Sequence, residues 1–203
     1  MLNSLWNSPM VNWPNALTIL RIGMAFATFW LVLEPSLISA LVAGLIFTIA
    51  AITDLLDGQL ARRTGAITTF GKILDPIADK ILVLGTFAVL SYLDVFSFWI
   101  VLPILIREVA ITAFRLYFLT KGTAVAAEKS GKQKTTVQIV AIGVIYANLL
   151  FVNHFFGTVS PATAQAISLI LSIAMYLLLA AAVWLTIYSG YLFFRNNWRL
   201  IVG

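Results

Sequence analysis

Apolar runs of bilayer length fill the chain from residue 16 to residue 194 and leave few folds open to it. The runs fall at 16–33, 36–60, 72–93, 97–119, 135–153 and 163–194. A helix needs about 20 apolar residues to cross a hydrocarbon core roughly 30 Å thick. Within that core every backbone N–H and C=O must find its partner inside the segment. Six such runs predict an all-α, polytopic membrane protein with six transmembrane helices. Charge content agrees: of 203 residues, 10% are charged, against about 25% in a soluble domain. The last run is long enough to tilt or to project into water. Residues 1–14 predict a short N-terminal interfacial helix, with Leu2, Leu5, Trp6, Met10 and Trp13 toward lipid. No Lys or Arg precedes Arg21, so the basic start of a secretory signal is not expected. Without a repeat or a low-complexity tract, residues 1–203 read as a single membrane domain.

The connections between runs set the orientation. Those near Glu34-Pro35, Asp94 and His154 carry no Lys or Arg. The alternate ones hold Arg62, Arg63 and Lys72, then Lys121, Lys129, Lys132 and Lys134, then Arg195 and Arg199. The positive-inside rule predicts that these segments and both termini face the cytoplasm. The net charge of +5 therefore reflects topology. Basic residues confined to short turns between spans do not argue for nucleic acid.

Half of the eight acidic residues, Asp54, Asp57, Asp75 and Asp79, fall within 26 residues. Asp54 and Asp57 are three apart on the second run; Asp75 and Asp79 are four apart on the third. Either spacing puts a pair on one helix face. A short turn joins the two helices, so four carboxylates are expected to converge near its cytoplasmic end. Four that close cannot all stay ionised in a poorly hydrated site by themselves. A divalent cation resolves the conflict. With no cysteine and one histidine in the chain, it must be a hard, oxygen-liganded ion such as Mg²⁺ or Mn²⁺. The plainer reading is structural ion pairing with Arg62, Arg63, Lys72 and Lys80, but intramembrane carboxylates on matched faces usually mark function. Gly58, Ala61 and Gly71 either make room for a substrate or let helices pack closely. Arg62, two turns beyond Asp54, is suited to clamping a diphosphate.

These residues read Asp54-x2-Asp57-Gly58-x2-Ala61-Arg62-x8-Gly71-x3-Asp75-x3-Asp79, and the pattern resembles the complete signature of the CDP-alcohol phosphotransferase family. The resemblance implies that Asp54, Asp57 and Asp75 bind a pair of metal ions. It makes Asp79 the general base and a further possible ligand, and Gly58, Ala61, Arg62 and Gly71 the CDP-lipid site. An acceptor hydroxyl would attack the β-phosphorus of the CDP-lipid, with CMP leaving. A homodimer is also expected through this resemblance.

Three further segments resemble the bacterial members of the family that join glycerol 3-phosphate to CDP-diacylglycerol. They are residues 14–21, Arg107-Glu108 with Arg115, and residues 131–138. That likeness implies a multi-pass protein of the bacterial cytoplasmic membrane. Arg115, Lys132 and Lys134 could cradle the acceptor phosphate, or the lysines could meet only anionic lipid. Arg107 and Glu108 lie deeper, where pairing with each other or between helices is as natural as substrate contact. Asn15 and Thr18 touch the nucleotide, help order the metal site or cap the first helix; Arg21 is expected to snorkel. Other acceptors (inositol phosphate, phosphatidylglycerol, an amino alcohol) and an ion-coupled carrier are the alternatives.

Overall fold

The computed structural model describes residues 13–64, 69–122, 130–198 and 200. Among them, six α-helices follow one another and no strand occurs. These are α1 (Trp13–Leu33), α2 (Leu37–Thr64), α3 (Thr69–Tyr92), α4 (Phe98–Thr120), α5 (Ser130–Leu150) and α6 (Pro161–Asn196). Each apolar run of the sequence has become one helix. Among the described residues, three stretches are long and apolar enough to cross a membrane, Ala16–Leu33, Gln133–Thr158 and Pro161–Asn196. Large apolar side chains cover the outside of the protein: Trp30, Ile38, Leu177 and Trp184 are each about two-thirds exposed or more. Such a surface suits lipid and would aggregate in water, so this is a membrane protein.

Two compact units divide the chain, Met1–Val89 and Leu90–Gly203. In the first, α1 and α2 pack as a hairpin joined by a connection too short to let them do otherwise. The buried stripe of α1 runs Thr18, Arg21, Ala25, Thr28, Val32, and that of α2 runs Ala40, Ala43, Phe47, Ala50. Both repeat every three or four residues, as one face of a helix must. The alanines of α2 leave little between the two backbones, which is how membrane helices gain contact where burial from water offers no drive. Arg21 is on the buried stripe, 2% exposed, and does not snorkel as expected. Pro14 stands in the first turn of α1, where its missing N–H breaks no helical bond. The helix already runs through Asn15 and Thr18, so neither stands at a cap position. The interfacial segment expected before it falls almost wholly outside the described residues.

From residue 77 to residue 91, α3 has no exposed residue. Gly85 lets the ring of Phe29 lie against the α3 backbone: a Cβ there would meet Phe29 Cζ at 2.2 Å. The helix ends on Asp94, whose φ of 55° is left-handed. Asp94 N–H bonds Ser91 C=O and Val95 N–H bonds Leu90 C=O, which is the Schellman pattern with aspartate in the usual glycine position.

In the second unit, α6 packs against both α4 and α5. Ser160 caps α6 by accepting from Thr163 N–H, and Pro161 follows in its first turn. At 36 residues, α6 is about 54 Å long and exceeds the hydrocarbon core. The connection expected at His154 is a continuation of α5, through a π-helical turn over Phe151–Phe155 and a 3₁₀ turn over Phe156–Thr158. The wider π turn brings Phe151 and Phe156, five apart, into edge-to-face contact.

Candidate active site

The four aspartates occupy the helical positions their spacing demands. Asp54 and Asp57 lie in the second half of α2, and Asp75 and Asp79 in the first half of α3. Asp57 is seven residues before the end of α2 and Asp75 six after the start of α3. Each is thus about 10 Å along its helix from that end. The side chains of Asp54, Asp57, Gly58, Ala61, Arg62, Gly71 and Asp75 lie outside the described residues. Asp79 is described: its side chain is partly buried, and its Oδ2 accepts from Lys80 Nζ at 2.6 Å. All four members of this set present hard oxygen donors, which fits a divalent cation of the magnesium type. At the start of α1, Thr18 is buried; the side chain of Asn15 lies outside the described residues.

A second polar group lies within the Leu90–Gly203 unit. The buried stripe of α4 runs Val101, Ile104, Glu108, Ile111; that of α5 runs Lys134, Gln138, Ala141, Ile145; that of α6 runs Leu179, Ala182, Thr186, Ser189, Phe193. In each stripe polar side chains occupy about one turn, and those turns meet; α5 carries a further buried polar residue, Asn148, beyond that turn. Glu108 Oε1 accepts from Lys134 Nζ of α5 and from Arg107 Nη1 at 3.0 Å. The other terminal nitrogen of Arg107 donates to Ser189 Oγ of α6 at 3.0 Å. Ser189 Oγ donates to Thr186 C=O at 3.1 Å, and Gln138 Nε2 donates to Thr186 Oγ1 at 3.1 Å. Six residues from three helices thus form one hydrogen-bonded group, joined through the Thr186 backbone carbonyl as well as side chains.

Of the two readings open for Arg107 and Glu108, pairing with each other and between helices is the one observed. Lys134 is drawn into that pairing. Arg115, seven residues after Glu108, lies with its guanidinium 5.2 Å from the centre of the Phe193 ring, a cation–π contact. The side chain of Lys132 lies outside the described residues. Thr186 and Ser189 were not singled out from the sequence. Their signal was there, as polar residues at stripe positions of an otherwise apolar helix.

Residues 11–193 match the CDP-alcohol phosphatidyltransferase family. The chain belongs to that family. Among its relatives is the CDP-diacylglycerol–glycerol-3-phosphate 3-phosphatidyltransferase of Bacillus subtilis, 36% identical over 204 residues, which cover 95% of this chain and 98% of that one. The enzyme of the same name from Salmonella typhimurium is 42% identical over 139 residues, 64% of this chain and 74% of its own. A Mycobacterium tuberculosis protein named "Probable phosphatidylglycerophosphate synthase" is 37% identical over 185 residues, 89% of this chain and 79% of its own. As a member of the CDP-alcohol phosphatidyltransferase family the protein is an enzyme, and the carrier reading falls away. Divalent metal ions are general in the family, in keeping with the oxygen donors on α2 and α3.

Proposed function

We propose that the protein transfers the phosphatidyl group of CDP-diacylglycerol to glycerol 3-phosphate, giving phosphatidylglycerophosphate and CMP. The observation that carries this is the 36% identity to the Bacillus subtilis enzyme over nearly the whole of both chains. The hydroxyl oxygen of the acceptor attacks the β-phosphorus of the CDP-lipid. One P–O bond forms, and the bond to the CMP phosphate breaks. Asp79 takes the hydroxyl proton, as a positioned carboxylate can. Arg62 contacts the diphosphate, and Gly58, Ala61 and Gly71 leave room for the nucleotide beside Asn15 and Thr18. Asp54, Asp57 and Asp75, with Asp79, would hold two divalent ions, Mg²⁺ or Mn²⁺. When bound, such ions neutralise the diphosphate and stabilise the leaving phosphate. Arg115, Lys132 and Lys134 receive the acceptor phosphate through charge-assisted hydrogen bonds.

The same reading takes all six helices as membrane spans. The basic connections, the active site and both termini face the cytoplasm of a bacterial cell, and the protein sits in its inner membrane as a homodimer. Chain 1–203 then acts as one domain, a view supported by a family match that runs through the boundary between the two compact units. An acceptor panel tests the assignment. Purified protein is given CDP-diacylglycerol with glycerol 3-phosphate, glycerol, inositol phosphate or an amino alcohol, and the lipid product is weighed by mass spectrometry. Phosphatidylglycerophosphate should dominate. A dominant product from any other acceptor would move the enzyme to a sister activity.

A further inference from the structure

We infer that Glu108 is a positioning residue for the acceptor, holding Lys134 of α5 and Arg107 of α4 in place through one carboxylate oxygen. The inference rests on the proposed use of glycerol 3-phosphate. Glu108 is 2% exposed, in a helix read as crossing the bilayer, where a carboxylate is costly and usually functional. Its Oε1 accepts from both cations. Arg107 is fixed at two further points. Its Nη2 donates to Ser189, and its stem crosses α6 at Gly190, where a Cβ would come within 3.2 Å of Arg107 Cγ. Buried ion pairs seldom stabilise a protein more than apolar packing of the same volume would, so stability alone is a weak reason for this group. Orientation is a better one. Lysine has a flexible four-carbon stem and loses much rotamer freedom when it grips an anion. Holding the ammonium beforehand lowers that cost on binding. An ammonium carries three donors, so a contact with Glu108 is compatible with a second one to a phosphate oxygen.

The sign of the effect separates this role from simple electrostatics. Neutralising Glu108 removes an anion from the neighbourhood of an anionic acceptor, and by charge alone E108Q would lower the KM for glycerol 3-phosphate. Positioning predicts the reverse, a rise of about tenfold, the scale of one charge-assisted contact. The KM for CDP-diacylglycerol should change little, and kcat much less than the acceptor KM. A cycle with Lys134→Met completes the test: if Glu108 acts through Lys134, E108Q adds little to the penalty already present in K134M. E108D keeps the charge, withdraws the oxygen by one methylene, and should raise the acceptor KM by several-fold. It carries the test if E108Q does not fold. Melting temperatures in detergent accompany each variant. An acceptor KM that falls or stays constant in folded E108Q or E108D overturns the inference, as do additive penalties in the cycle or equal losses for both substrates. A parent enzyme that takes only phosphate-free acceptors overturns the functional reading, and this inference with it. A parent that uses glycerol 3-phosphate and shows no coupling overturns the positioning role alone.

Discussion

Asp79 stands on α3 with Lys80 Nζ 2.6 Å from its Oδ2, and the other three signature aspartates occupy matching helical positions. Their proposed roles differ, and so do the expected losses. Asp57→Asn or Asp75→Asn replaces an anionic ligand with a neutral amide and should abolish turnover in a protein that still folds; near-normal activity at limiting Mg²⁺ would remove the metal role. Asp79→Asn should lose about a hundredfold or more in single-turnover rate, the usual scale of a general base, while CDP-lipid binding largely survives. Binding that falls in step with rate would instead make Asp79 chiefly a metal ligand. At the acceptor end, Arg115→Ala or Lys134→Ala should raise the KM for glycerol 3-phosphate about tenfold, with CDP-diacylglycerol much less affected. The placement of the aspartates on two successive helices was legible in the sequence, because they fall within apolar runs at helical spacing. The hydrogen bonds of Arg107 and Lys134 were not, since they join residues 82 apart and 26 apart, and only packing decides which cation meets Glu108.

Helices were the easiest elements to read, because an apolar run of bilayer length has one way to satisfy its backbone. The run 97–119 became Phe98–Thr120, and 72–93 became Thr69–Tyr92. His154 was placed in a connection because it directly follows the fifth run, 135–153. In the structure the helix passes through it by widening to a π turn, a change of hydrogen-bond pattern that hydropathy does not register. Arg21 was read as snorkelling from its place near a span end, yet its position in the repeat with Thr18 and Ala25 puts it on the buried face of α1. The close approach of α1 to α3 also depends on a residue with no hydropathy signal. Gly85→Leu would drive a side chain into the ring of Phe29 and should destabilise the protein by about 1–3 kcal/mol, the usual cost of overpacking. Phe29→Ala in the same chain should recover part of that loss, as read from melting in detergent. Equal melting of Gly85→Leu and parent would show that the contact does not constrain the packing.

Among the described residues of α4, α5 and α6, buried charge gathers in one hydrogen-bonded group, while the four signature aspartates stand on α2 and α3. The rest of the described surface is largely apolar and suited to lipid. In the proposed reaction the acidic residues of α2 and α3 serve the metal-dependent step and the basic residues of α4 and α5 the acceptor. The most direct test combines both requirements in one preparation. CMP release and lipid product are followed together from CDP-diacylglycerol with Mg²⁺, without acceptor, with glycerol and with glycerol 3-phosphate. CMP and phosphatidylglycerophosphate should appear in equal amounts, only with glycerol 3-phosphate and only while the divalent ion is present. CMP released at the same rate without acceptor, or equal product from glycerol and glycerol 3-phosphate, would contradict it.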